Sequence, residues 1–120
     1  MWSNTRSQSG QPVDLLLTPT MPHTAVPHRS CRWVGYTKLF NFLDYTALSF
    51  PAGKASKHLD KRSDTETDYH PLNSHDFWNW DLYDVATMDG HSVGLQIVGR
   101  RFEEEKVLGA SHQIQRLLKM

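Results

Sequence analysis

The sequence predicts an α/β unit, a mixed or parallel sheet with flanking helices. Three observations carry this. Val93, Leu95 and Ile97 alternate with Gly94, Gln96 and Val98, the period-two pattern of a strand that ends at Gly99. Val107, Ala110, Ile114 and Leu117 then recur at helical spacing behind Glu103-Glu104-Glu105, whose charge suits a first helical turn. Upstream, short apolar runs also alternate with helical patterns, the element order of an α/β unit.

Residues 1–12 are mostly polar and repeat at no structural period, so they read as a disordered leader. Order is expected over 13–118. The run Val13-Asp14-Leu15-Leu16-Leu17-Thr18, stopped by Pro19, reads as a short buried strand. Pro19, Pro22 and Pro27 leave no room for a regular element, so 19–28 is an extended loop. Gly35 to Tyr45 reads as a helix, with Thr37 as a cap and Phe40, Leu43 and Ala47 on one face. Thr46 to Phe50 is a second strand, closed by Pro51 and Gly53.

Residues 54–76 are polar and charged, with Leu59 and Leu72 their only large aliphatic side chains. They form a mobile surface loop on this reading. Asp76 to Asp84 brings Phe77, Trp78, Trp80 and Tyr83 onto one short helix, and Asp89-Gly90 marks a turn. Strand 93–98 and a final helix ending near Lys119 follow. No internal repeat is present.

A chain of 120 residues is one domain, and 38% hydrophobic residues make a lean core. Thirteen basic and thirteen acidic residues cancel, and the pI is near 7.1. Such a balance gives no electrostatic pull toward nucleic acid or an anionic membrane. The longest plain apolar run, Leu15 to Leu17, is far short of a membrane span. Cys31 is alone, which excludes an internal disulfide and a cysteine-based zinc site. A soluble, intracellular, cytoplasmic protein is the expectation.

No catalytic, cofactor-binding or metal-binding residue stands out. His23 and His28 are five apart, as are His70 and His75, and neither spacing is that of a helical zinc pair. Gly-x-Ser-x-Gly is absent, no two serines adjoin, no serine has a lysine three residues on, and Gly-Gly does not occur. Cys31 has His28 nearby but no third group to orient the pair, so it reads as an incidental thiol. Gly94 and Gly99 match no phosphate loop and read as tight packing and a strand end. The aromatic cluster reads as a helix face on a core rather than a stacking platform, because no basic residues interleave it.

Three stretches together are more specific. They are Leu15-Leu16-Leu17-Thr18-Pro19 with Ala25-Val26-Pro27-His28; Gly35-Tyr36-Thr37 with Asn41-Phe42-Leu43-Asp44-Tyr45 and Phe50-Pro51; and Val93 through Arg101 with Glu104 to Leu108. Pro71-Leu72-Asn73, Asn79-Trp80 and Tyr83-Asp84 fit the same order. In this order they resemble the C-terminal part of amidase signature enzymes, most closely the fungal acetamidase and general amidase branch. The resemblance covers about residues 13–118.

It implies a C-terminal fragment of the amidase signature fold. It also implies kinship with hydrolases that split carboxylic amides by a serine nucleophile, a second serine and a lysine base. No position here matches that Gly/Ser-rich signature. The expectation is therefore a truncated amidase-like protein, inactive alone and without cofactor. The alternatives are a module that docks on another amidase-type chain, or a piece of a full amidase. Open strand edges would favour self-association or such a partner chain.

Overall fold

The computed structural model describes residues 2–62 and 69–118. Three strands, β1 (Leu16–Pro19), β2 (Ala47–Lys54) and β3 (Ser92–Val98), form one sheet in the order β1-β3-β2. Among the described residues four α-helices accompany them: α1 (Gly35–Phe42), α2 (Ser74–Leu82), α3 (Val85–Met88) and α4 (Glu104–Leu118). The expected small α/β sheet with flanking helices is what forms.

Its internal pairings are more specific than expected. β3 runs antiparallel to both neighbours, Leu17 facing Ile97 on one side and Leu48 facing Ile97 on the other. β1 and β2 thus point the same way, joined through α1, with β3 inserted between them. Within the described residues the expected parallel contact is replaced by two antiparallel ones, because the last strand enters the gap left by the crossover.

The alternation seen in the sequence becomes two covered faces of β3. Ile97, 1% exposed, meets Phe50 and Val107 in the core, with Leu48, Leu95 and Ile114 packed around them. Full burial, as at Ile97 and Val107, contributes about 1.5–3 kcal/mol per side chain by removing it from water. Gln96 faces the other way and is equally buried. Its Nε2 donates to the carbonyls of Pro19 at 3.1 Å and Tyr36 at 3.2 Å, tying β1 and α1 to the central strand.

The edge strands depart from the sequence reading. β1 is not buried: Leu16 and Leu17 are 37% and 55% exposed, because β1 has a neighbour on one side only. Edge position also lets Pro19 lie inside β1 and Pro51 inside β2, since a missing N–H costs nothing on an unpaired side. β2 therefore runs past Pro51 to Lys54, with a register shift between Pro51 and Gly53.

The helices shift slightly. α1 stops at Phe42, and Phe40 is its one buried residue. Thr37 is not its cap: that position is Val34, and the Thr37 hydroxyl donates back to the Val34 carbonyl at 3.0 Å. In α4 the buried stripe is Val107 and Ser111, and Leu117 is 64% exposed. Ser111 fits because its hydroxyl donates to the Leu108 carbonyl at 2.7 Å. The expected helix end at Lys119 lies outside the described residues.

The first twelve residues make contacts with the rest of the chain. A 3-10 turn spans Trp2–Asn4, and Trp2 packs edge-on against Tyr45 at 5.3 Å. Its indole N–H donates to the Val13 carbonyl at 2.5 Å. A tryptophan buries enough apolar area to hold a polar segment down. In the polar stretch 54–76, residues 63–68 lie outside the described residues. The described part is tethered: the Ala55 N–H donates to His91, and Lys57 pairs with Asp89 at 3.2 Å.

Candidate functional site

The site grows from the cap of α2. Asn73 Oδ1 accepts from the backbone N–H groups of His75 and Asp76, both at 3.0 Å, and starts the helix at Ser74. That register puts Asn79, Trp80 and, one turn on, Tyr83 toward the proline loop and the end of β3. Pro19 and Pro22 keep the loop extended, so His23 reaches across to Trp78, ring to ring at 5.5 Å and 90°. Asp84 then caps α3, which brings Met88 to the same side.

These elements line an open cavity of about 500 Å³. Met21, His23, Arg62, Trp80, Tyr83 and Met88 are among its walls. Gly94 forms part of the floor, where a Cβ would stand 3.3 Å from Thr20 Oγ1. A second cavity of about 320 Å³ lies on the other side of Asn79, with Trp33, Tyr36 and Trp78 in its walls. The aromatic cluster thus lines two cavities rather than sitting on the core expected for it. No residue of α2 is buried, and Phe77 is 57% exposed.

Arg62 lies over the Trp80 ring at 4.1 Å and beside Tyr83 at 5.2 Å, and donates to the Trp80 carbonyl. Tyr69 stacks on Trp80 at 4.3 Å. In the cavity wall, His23 Nε2, Thr24 Oγ1 and Asn79 Oδ1 are shut from water and find no partner among the described residues. In the sequence Arg62 belongs to a polar surface stretch, and Asn79 stands out only beside Trp80. The one signal available was the aromatic spacing at 78, 80 and 83.

The electrostatics are those of caps and turns. The Asp84 carboxyl is held below its ordinary value by the Thr87 hydroxyl and the Ala86 N–H. Asp89 is lowered by the Lys57 backbone N–H and side chain. Asp76 is lowered mainly by the Tyr69 hydroxyl, which is itself pushed up by that bond. All three carboxyls move away from neutrality, the wrong direction for a general base. Among the described residues no three His, Cys, Asp or Glu side chains converge. Cys31 is exposed, its thiol 3.8 Å from the Trp33 carbonyl.

The central strand β3, carrying Gly94-Leu95-Gln96-Ile97-Val98, lies between β1 and β2 and packs against the C-terminal helix α4. The family model for Amidase matches residues 2–108, and the chain belongs to that family. The match begins ahead of Val13, where the motif resemblance starts. Over 118 residues the chain is 68% identical to Amidase 1 of Gibberella moniliformis, covering 98% of this chain and 22% of that protein. It is 33% identical over 117 residues to an acetamidase of Aspergillus oryzae, covering 98% and 21%. Among solved structures, a fatty acid amide hydrolase superposes with a TM-score of 0.82 at 34% identity, over 90% of this chain and 19% of the other. The chain therefore spans about a fifth of the length of the relatives it matches. No helix among the described residues is long and apolar enough to cross a membrane.

Proposed function

We propose that this chain supplies a sheet-completing, pocket-lining part of a cytoplasmic amide hydrolase and does not hydrolyse amides by itself. One observation carries the reading: the chain matches its relatives along 98% of its own length yet about a fifth of theirs. No two serines adjoin and no serine has a lysine three residues on within the 120 residues. Catalysis of that kind needs a nucleophile, a base in hydrogen-bond reach and oxyanion donors together.

The same reading accounts for the surface. β1 and β2 each have one unpaired edge among the described residues. Leu17 on β1, Leu39 and Phe42 on α1 and Leu43 at its C-terminus are exposed. Strand edges and apolar side chains of this kind are the surfaces a larger sheet would cover. Alone, the chain is expected to self-associate; its net charge of zero offers no repulsion.

The test mixes the 120-residue chain with the remainder of a full-length relative such as Amidase 1, cut ahead of the matched region. Ammonia release from acetamide and benzamide is followed alongside size-exclusion chromatography. Each piece alone should stay at the buffer rate, and the mixture should co-elute and turn over. Turnover by this chain alone overturns the reading. So does a mixture that neither associates nor reacts.

A further inference from the structure

We propose that Trp80 and Tyr83 form a site for an alkylguanidinium cation, and that Arg62 of the same chain occupies it in this structure. The guanidinium carbon of Arg62 stands 4.1 Å from the Trp80 ring centre and 5.2 Å from that of Tyr83. Its Nη2 donates to the Trp80 carbonyl. The site thus offers a planar cation both a π face and an acceptor, which suits a guanidinium better than a strongly hydrated ammonium. The ring is prepositioned: Tyr69 stacks on Trp80 at 4.3 Å with planes 24° apart.

The cavity beside the ring has chemistry of the same kind. Thr24 Oγ1 and Asn79 Oδ1 are buried in its wall and lack a partner among the described residues. So does His23 Nε2. His23 Nδ1 contacts the Thr24 carbonyl at 2.7 Å, and a carbonyl only accepts, so Nδ1 donates. In the uncharged ring Nε2 is then an acceptor, like Asn79 Oδ1. Arg62 itself leaves both acceptors unpartnered among the described residues; a free alkylguanidinium, not held by the chain, brings up to five N–H donors into the same space. With Arg62 displaced, Asp60 and Lys61 in the wall balance each other. About 500 Å³ is more than a guanidinium fills, and Met21, Pro22, Met88 and Val93 give its alkyl tail an apolar path.

Arg62 holds the site as a tethered competitor. The strap that carries it is fastened by the Tyr83 hydroxyl, which donates to the Asp60 carbonyl. A tethered group competes at an effective concentration in the millimolar range. The inference concerns binding alone and stands or falls apart from any share in hydrolysis.

Saturation-transfer NMR on the full chain tests it, with N-butylguanidinium and its uncharged isostere N-butylurea as probes. Arg62→Ala should bind the guanidinium saturably, about tenfold tighter than the native chain, and prefer it over the urea by about tenfold. Adding Trp80→Leu, which stays apolar but removes the π face, should abolish that binding; Trp80→Phe, also smaller but still aromatic, should weaken it less. Matching thermal melts qualify each variant. No saturable binding to Arg62→Ala, equal binding of both probes, or full binding without an aromatic residue at position 80 would overturn the assignment.

Discussion

A Cβ added to Gly99 would stand 2.6 Å from Cγ2 of Val107. The end of β3 and the first turn of α4 approach that closely because residue 99 has no side chain. Val107 is 1% exposed at this contact and cannot swing into solvent without opening the core.

Gly99→Ala should therefore destabilise the chain by about 1–3 kcal/mol through overpacking. Denaturant midpoints would show it, and Val107→Ala added to Gly99→Ala should recover part of the interaction. A Gly99→Ala midpoint equal to that of the native chain would mean the helix does not dock there.

Ile97 is the centre of the same contact from the sheet side. Ile97→Ala should cost about 2–5 kcal/mol. For a lean core that is a large share of the total, so the urea transition should shift strongly or vanish. A near-unchanged midpoint would place the strand at the surface.

Gln96 offers a polar counterpart. Its amide serves two carbonyls, those of Pro19 and Tyr36, in a buried setting. Gln96→Leu keeps the volume but leaves both carbonyls without that donor, at about 1–3 kcal/mol. Amide exchange should speed up around α1 and the end of β1 and leave α4 unchanged. Uniform exchange across the chain would argue against Gln96 as the tie.

Acid should weaken the 84–89 region. The folded Asp84 carboxyl titrates below 3.8, held down by the Thr87 hydroxyl first and the Ala86 N–H second. Below its unfolded value the unfolded chain binds the proton more readily. The stability Asp84 contributes is thus complete above about pH 4 and is lost as pH falls through the lowered folded value. Asp84→Asn should flatten this part of the acid limb, and NMR titration of Thr87→Val should show the Asp84 carboxyl rising toward 3.8. A Thr87→Val titration identical to the native one would exclude the hydroxyl as the main cause.

The elements with strong periodicity were legible residue by residue. The alternation of 93–98 became β3, the spacing from Val107 to Ile114 became α4, and the Asp89-Gly90 turn formed with Gly90 at φ 78°. Trp2 was missed because its partner, Tyr45, is far along the chain. The cavity was missed for the same reason: His23, Arg62 and Trp80 sit in three segments with no shared motif.

By itself the sequence determined the local states and the family, because hydrophobic period, caps and the Gly-Leu-Gln-Ile-Val-Gly strand are written in neighbouring residues. It also determined that no serine-lysine device lies within these 120 positions, which enumeration alone can establish. Only the tertiary structure decided that β3 enters antiparallel between β1 and β2, and that Pro51 sits inside an edge strand. It likewise decided that the aromatic face of α2 meets cavities instead of the core. Those outcomes depend on which segments compete for one apolar face, and that contest is settled by contacts between residues distant in sequence.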